Sequence, residues 1–246
     1  MSGVRLLTGR RALVTGAANG IGLAVTRTFI AEGATVAAVD CEPVPTNLGK
    51  FVHPIEWDLS DTAGIDELVR TAEQEIGPID VLVNNAGSPQ PRIEGGLADI
   101  AAAWESTFRA NTLSVVLMTE AVKPLLSRPG GRVIVIGSFA GRGGTGSPAY
   151  ASAKGALESY VITLMREVGP EGITANVVAP GYTQGTELLA GRVTPERHER
   201  LIAGNAARRA GTPEEIASLV AYLASDGAAF INGQTITANG GTYLSG

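Results

Sequence analysis

ALVTGAANGIG, residues 12–22, joins a short apolar run to an amphipathic segment and decides the fold. Ala12–Val14 predicts a buried strand, and Ile21–Glu32 has the apolar spacing of a helix that Gly33 ends. A glycine-rich turn between a strand and a helix brings backbone N–H groups close to a pyrophosphate, because glycine has no Cβ. The turn therefore predicts a dinucleotide site, and its candidate cofactor-binding residues are Gly16, Asn19, Gly20, Ile21 and Gly22.

The rest of the chain continues this alternation of strands and helices. Further strands are expected at Thr35–Asp40, His53–Trp57, Ile79–Val83, Arg132–Gly137, Ile173–Val178 and Gln234–Thr237. Further helices are expected at Ile65–Ile76, Leu97–Leu126, Tyr150–Val168 and Pro213–Ala224. The segment 41–52 contains two prolines and is expected to be a loop with at most one helical turn. We predict one α/β domain over residues 1–246, a doubly wound Rossmann fold with an approximately seven-stranded parallel sheet and helices on both faces.

Composition narrows the class of protein. The chain has 246 residues, 44% of them hydrophobic, and a net charge of −5. It has no long basic block and no apolar run of membrane-spanning length, so we expect neither a nucleic-acid partner nor a membrane. The single cysteine, Cys41, and the absence of a secretory signal pattern predict a cytoplasmic location. No metal site is expected.

Asp40 ends the second predicted strand, 24 residues after Gly16. A carboxylate at this point accepts hydrogen bonds from the adenosine ribose and repels a 2′-phosphate. The alternative is an exposed loop aspartate. No arginine stands at position 19 or directly after Asp40. The sequence therefore favours NAD as cofactor, with NADP as the alternative.

Tyr150 and Lys154 are four residues apart at the start of a predicted helix. This spacing puts both side chains on one face of the helix. A neighbouring cation, together with the positive nicotinamide ring, is expected to lower the pKa of the phenol and make it a proton donor and acceptor. Alone, the pair would more often be an ordinary surface pair.

Other motifs accompany that pair in a fixed order. They are Asp58-Leu59, Asn84-Asn85-Ala86-Gly87, Asn111, Ser138 and Pro180-Gly181. With the glycine turn, they make the chain resemble a compact, single-domain short-chain dehydrogenase/reductase over roughly residues 7–241.

The resemblance implies a role for each motif. Catalytic residues would be Asn111, whose backbone would anchor a water that links Lys154 to solvent as a proton relay, and Ser138, which would donate a hydrogen bond to the substrate oxygen. Tyr150 would be the general acid and base, and Lys154 would contact the nicotinamide ribose and lower the pKa of Tyr150. Cofactor-binding residues would be Tyr150, Lys154, Asp40, Asp58, Leu59, Asn85, Ala86, Gly87, Pro180, Gly181 and Thr183. From the residues alone, Ser138 could simply end a strand, and Asp58 could cap the next segment.

Two details depart from the family pattern. Ser138 precedes Tyr150 by twelve residues rather than thirteen, with Ser147 as a second candidate. The expected threonine after Gly181 is displaced, so Thr183 is preferred over Thr186.

The substrate side is expected to be formed by the loops 88–94 and 139–147 and by residues 182–205 as a helical lid. Arg92 and Arg142 are candidates for binding an acidic group, although both are more simply explained as solvated side chains. The two long helices carry surplus apolar residues, which with the resemblance predicts a homotetramer.

We predict an oxidoreductase that moves a hydride between a nicotinamide cofactor and a small-molecule secondary alcohol or ketone. The alternative within the same chemistry is a 3-oxoacyl or polyketide-type ketoreductase that uses NADPH. Rivals from other classes are a non-catalytic dinucleotide-binding regulator and an enzyme that uses an adenosyl cofactor, neither of which needs Tyr150 and Lys154.

Overall fold

A parallel sheet forms the centre of the molecule because its strands are almost continuously apolar. The computed structural model describes residues 5–89, 91, 93–143, 146–186 and 193–242. The strands are β1 (Arg11–Thr15), β2 (Thr35–Asp40), β3 (Val52–Glu56), β4 (Val81–Asn84), β5 (Arg132–Ile136), β6 (Thr174–Pro180) and β7 (Thr235–Ala238). Within the described residues they pair in parallel in the order β3-β2-β1-β4-β5-β6-β7. The chain order reverses between β1 and β4, and a crevice forms there beyond the carboxyl ends of the strands.

Helices cover both faces of the sheet, as expected. They are α1 (Gly20–Ala31), α2 (Ile65–Ile76), α3 (Leu97–Phe108), α4 (Ser114–Val122), α5 (Pro148–Val168), α6 (Pro195–Ala203) and α7 (Pro213–Ala224). One apolar core packs α2, α4 and α5 against the sheet, with Met118 and Leu157 fully buried. A second core packs α1 and α7 on the other face around Phe29 and Val220. The predicted doubly wound fold is confirmed.

Several predicted boundaries were wrong by one or two residues. β3 begins at Val52 and ends at Glu56, one residue before the predicted bounds, and β6 extends to Pro180. The fifth helix starts at Pro148 because the Ser147 hydroxyl accepts a hydrogen bond from the Tyr150 N–H at 3.4 Å. Proline suits the first helical turn because no intrahelical partner is needed for its missing N–H.

The helix predicted over Leu97–Leu126 is not regular. Residues Arg109–Leu113 form a π turn, in which the Ser114 N–H bonds to the Arg109 carbonyl five residues earlier. A short 3-10 segment, Lys123–Leu125, ends the element. The prediction of helix was correct in type, but the wider turn carries no proline or glycine that could have revealed it.

The segment after β2 is a loop with one short 3-10 turn at Thr46–Leu48, as expected. The predicted lid contains the helix α6, but residues 187–192, with Leu188 and Leu189, lie outside the described part of the chain. No helix among the described residues is long and apolar enough to cross a membrane.

Candidate active site

The glycine turn after β1 has the conformation that the sequence predicted. Gly16 and Gly20 have φ angles of +66° and +51°, which side-chain-bearing residues rarely adopt. A Cβ on Gly16 would lie 2.7 Å from the Asn85 Nδ2 atom. Asn19 precedes α1 without a side-chain cap, and the first turn of the helix carries no acidic residue. The amino end of α1 is therefore open to an anion.

Gly22 has a different place from the other glycines of the turn. It does not line the cleft. A Cβ there would overlap the Gly16 carbonyl oxygen, so Gly22 allows α1 to pack directly on the turn. Its contribution to cofactor binding is indirect.

The carboxyl ends of β1 and β4 are joined by Thr15 and Asn85. The Asn85 amide nitrogen donates to the Thr15 and Gly16 carbonyls at 3.0 and 2.9 Å. The Thr15 hydroxyl accepts from the Asn85 and Ala86 N–H groups at 3.0 and 3.1 Å. Asn85 therefore lines the cleft while its side chain holds the glycine turn. The sequence analysis gave Thr15 no role of its own, and its burial at the end of β1 is seen only in the structure.

The β2–β3 end of the cleft is acidic. The Asp40 carboxylate accepts from the Ala18 N–H at 2.9 Å and from the Glu42 N–H at 3.0 Å. Asp58 accepts from the Ser60 N–H at 2.8 Å, so it lines the cleft and also caps the following segment. Burial raises the pKa of the Cys41 thiol, and the adjacent Asp40 charge adds to that effect.

Two basic residues of the described chain line the cleft, and neither lies on β2, on β3 or on the segments that follow those strands. Among its described lining residues only Arg109 and Lys154 are basic, and neither adjoins Asp40 in the sequence. Lining residues to which the sequence analysis gave no role include Cys41, Glu42, Trp57, Ser106, Arg109 and Ala110.

The other end of the cleft holds Ser138, Tyr150 and Lys154. Ser138 and Tyr150 both line this end, and Ser138 acts on the pKa of the phenol by hydrogen bonding, despite the spacing of twelve. The Lys154 Nζ atom lies 6.0 Å from the centre of the Tyr150 ring. Lys154 is buried and donates to the Ile136 carbonyl at 3.0 Å. The predicted clustering of these three side chains is observed, whereas Ser147 only caps α5.

The pKa of Tyr150 departs from the sequence expectation. In the protein alone, burial raises the pKa of Tyr150, and the hydrogen bond from Ser138 opposes that rise. Burial lowers the pKa of Lys154 to about 8 because desolvation penalises the ammonium. Lys154 thus remains largely protonated at neutral pH, but it is not what sets the phenol's pKa here. The part of the prediction that relied on Lys154 alone was wrong, and the lowering expected from Lys154 together with the nicotinamide ring stays a prediction.

Asn111 lies in the π turn with its side chain fully buried. Its amide nitrogen donates to the Ser88 and Thr107 carbonyls at 2.8 and 2.9 Å. Its Oδ1 atom has no hydrogen-bond partner among the described residues. A Cβ on Gly87 would lie 2.7 Å from that oxygen and 3.4 Å from the Lys154 Nζ atom. An acceptor and a donor therefore face the same glycine.

The loop after β6 forms the remaining wall. Pro180, Gly181, Thr183 and Thr186 line the cleft. The Thr183 hydroxyl is buried and donates to the Gly181 carbonyl at 3.2 Å, while Thr186 lies against Gly20. Both threonines reach the cleft, so the choice of Thr183 stays a prediction.

An aromatic pair connects α6 to the loop after β6. The Tyr182 hydroxyl and the His198 Nδ1 atom on α6 are 2.7 Å apart. The two rings meet edge to face, with centres 5.5 Å apart. No residue of α6 is fully buried, so this contact is its clearest described attachment.

The two arginines considered for acidic groups differ in outcome. Arg142 contacts both carboxylate oxygens of Glu158 at 3.0 Å, which accounts for its charge structurally. Arg92 lies outside the described residues.

The whole cleft encloses about 560 Å³. Every residue predicted for catalysis or cofactor binding lines it except Gly22. The glycine cradle, the open helix end and the unpartnered Asn111 oxygen suit an elongated, phosphate-bearing ligand such as a nicotinamide dinucleotide. No group of three or more His, Cys, Asp or Glu side chains in the described residues is arranged to hold a metal ion.

Comparisons with known proteins agree with this geometry. The family model described as "Enoyl-(Acyl carrier protein) reductase" matches residues 16–243. The chain is 36% identical to the 3-oxoacyl-(acyl-carrier-protein) reductase FabG of Escherichia coli (strain K12) over 243 residues, covering 96% of this chain and 98% of FabG.

Solved structures give the same result. A short-chain dehydrogenase/reductase from Brucella melitensis, described as a glucose/ribitol dehydrogenase, superposes with a TM-score of 0.89 at 29% identity, covering 98% of this chain and all of that one. A short-chain dehydrogenase from Burkholderia cenocepacia J2315 in complex with NADP has a TM-score of 0.84 at 29% identity, covering 96% and 99% of the two chains. The chain therefore belongs to the short-chain dehydrogenase/reductase family of oxidoreductases.

Proposed function

We propose that this protein is a nicotinamide-dependent ketoreductase that interconverts a 3-oxoacyl thioester and the corresponding 3-hydroxyacyl thioester. The observation that carries the chemistry is that Tyr150 and Ser138 line one end of the cleft together, with the buried Lys154 Nζ atom 6.0 Å from the centre of the Tyr150 ring. The substrate class is supported by the name of the E. coli relative. Sequence analysis preferred a simpler secondary alcohol or ketone, and the comparisons favour its alternative.

The residues of the chain divide the work of reduction as follows. When bound, a nicotinamide would supply the hydride for the carbonyl carbon, or would accept it in the reverse direction. The Ser138 hydroxyl holds the carbonyl oxygen by a hydrogen bond. Tyr150 transfers its phenolic proton to that oxygen as negative charge develops there. The Lys154 ammonium favours the resulting phenolate and keeps N–H donors free for the cofactor's ribose, since the structure gives it one acceptor, the Ile136 carbonyl.

Asn111 is proposed to help return a proton to Tyr150 after the phenol has given its own to the substrate. Its unpartnered Oδ1 atom and the Lys154 Nζ atom both face Gly87, so a water held there would connect lysine to solvent. The sequence analysis assigned this role to the Asn111 backbone, and the side-chain oxygen offers a further acceptor.

Two observations about the cofactor point in opposite directions. The relative from Burkholderia cenocepacia holds NADP. In this chain, Asp40, Glu42 and Asp58 line the cleft on the segments that end or follow β2 and β3, and none of the described lining residues on those segments is basic. We give the carboxylates more weight because they belong to this chain and would repel a 2′-phosphate. We therefore propose NAD(H), and direct titration with NADH and NADPH compares the two.

The activity test uses acetoacetyl-CoA as a model 3-oxoacyl thioester and a simple aliphatic ketone as comparator, each with NADH and NADPH. Tyr150→Phe is expected to lower kcat by a factor of about 10² to 10⁴ while leaving NADH binding unchanged. Tyr160→Phe, on the same helix but outside the cleft, is the matched control. Activity of Tyr150→Phe within threefold of the wild type would refute the acid–base assignment. Turnover of the ketone without turnover of the thioester would refute the substrate class.

The homotetramer also stays a proposal. Leu97, Trp104 and Leu113 in the α3–α4 region and Ile162 on α5 leave 37–85% of their area exposed. Pairing these helices between subunits would cover them. Sedimentation velocity at micromolar concentration measures this directly, and a monomeric mass would contradict it. The lid role of residues 182–205 and the cytoplasmic location likewise remain predictions.

A further inference from the structure

Arg109 is a cation in the cleft that the proposed chemistry does not use. It is exposed and lines the cleft, and its guanidinium has no hydrogen bond or ion pair to another described residue. Lys154, the other basic residue of the described lining, is buried at the chemical end. The position of Arg109 within the cleft determines which part of a bound ligand it can contact.

The side of the helix on which Arg109 lies follows from its neighbours. Asn111 faces inward, beside Gly87. Thr112 turns toward α5, where its hydroxyl donates to the Ala153 carbonyl at 2.9 Å. Ala110 and Thr112 flank Asn111 on opposite sides of the turn, so Ala110 turns away from α5.

Ser106 and Ala110 are four residues apart and share that flank. Arg109 is one turn after Ser106, and all three line the cleft. The lining residues on this side, away from α5, include Asp58, Leu59 and Ser60, which follow β3. This flank places Arg109 toward the adenosine end of the cleft.

The residues at the adenosine end indicate which part of a bound dinucleotide Arg109 would contact. Asp58 accepts a backbone N–H, and Leu59 supplies a buried apolar wall, which suits a flat base more than a phosphate. A guanidinium is planar, weakly hydrated and stacks on aromatic faces. An unpaired one at the rim can lie over a purine bound against Leu59.

We propose that the Arg109 guanidinium stacks on the adenine base of the bound dinucleotide and closes the adenosine end of the cleft from the solvent side. This inference rests on the proposed dinucleotide site. It makes Arg109 a cofactor-binding residue that acts on the base and not on a phosphate.

The test measures inhibition constants of adenosine and AMP, each displacing NADH from the full-length protein by fluorescence. Arg109→Met keeps the aliphatic stem and removes the guanidinium. This variant is expected to weaken the binding of adenosine and of AMP by the same factor. That factor is about two- to fivefold, the range for a cation over an exposed aromatic ring. Arg109→Lys should give an intermediate loss, because an ammonium lacks the planar surface.

The matched control is Arg166→Met, which removes another exposed arginine from the last turn of α5. It is expected to bind adenosine and AMP as the wild type does. An unchanged adenosine constant in Arg109→Met would overturn the proposal, and a loss confined to AMP would show a phosphate contact instead. If wild-type protein fails to bind NADH at all, the proposed function itself fails, which is a separate outcome.

Discussion

Lys154 is expected to lower the protein's free energy of unfolding, although the proposed reaction requires it. Its pKa in the folded protein is about 8, against 10.5 for a free lysine, and the cause is burial of the ammonium. At about 1.4 kcal/mol per tenfold change in proton affinity, that difference corresponds to about 3 kcal/mol of lost folding free energy at pH 7. Replacing Lys154 by methionine removes this cost, together with the hydrogen bond to the Ile136 carbonyl, worth about 1 kcal/mol. Lys154→Met should therefore be inactive and about 2 kcal/mol more stable.

The sign of the pH dependence follows from proton binding. Between pH 8 and 10.5 the unfolded chain holds more protons at Lys154 than the folded protein, so wild-type stability rises with pH. Methionine has no such dependence, so the advantage of the variant should fall to near zero by about pH 10. Urea unfolding at pH 7 and pH 10 measures the difference in free energy of unfolding between the variant and the wild type. Both proteins are compared at one protomer concentration and without dinucleotide.

Lys123→Met is the matched control for this prediction. Lys123 is near the surface, and hydrogen bonds to Glu120 and Glu167 raise its pKa. Its loss should cost no more than about 1 kcal/mol. A Lys154→Met protein that is less stable than the wild type at pH 7, or whose advantage persists at pH 10, would refute the burial argument.

Three further substitutions test separate parts of the cleft. Gly22→Ala should weaken NADH binding by about tenfold or more, because the new Cβ would overlap the Gly16 carbonyl. A Cβ added at Gly96 meets no other atom, so the Gly96→Ala control should bind NADH as the wild type does in fluorescence titration. Asp40→Asn should raise the NADPH-to-NADH ratio of kcat/KM by about tenfold, because one repelling charge is gone; an unchanged ratio in steady-state kinetics would count against that contact. Tyr182→Phe removes a 2.7 Å hydrogen bond and should accelerate hydrogen–deuterium exchange in α6, and equal exchange rates would show that α6 is fastened elsewhere.

Much of the cleft could be predicted because its residues follow local rules. Tyr150 and Lys154 share a helical face by spacing alone, and Ser138 and Asp40 stand at the ends of recognisable strands. The start of α5 was also within reach, since Ser147 followed by proline is a helix-start pattern.

The rest depends on contacts between distant parts of the chain. Asn85 and Thr15 are 70 residues apart, and no local pattern reveals that their side chains join two strands. The raised pKa of Tyr150 comes from burial, which spacing does not report. The π turn has the same apolar periodicity as a regular helix, so it was predicted as one.

That wide turn fixes the number of residues in the element from α3 to α4. It holds one more residue per turn than the α-helix on either side, and Asn111 lies inside it. Deleting a single residue there would convert the π turn to regular α-helix. Every residue of α4 would then be rotated by roughly 100° about the helix axis relative to α3. Either the amide would leave the cleft or Met118 would leave the apolar core. Insertions and deletions should therefore be tolerated in the loops before Leu97 and after Leu126, but not between Phe108 and Ser114.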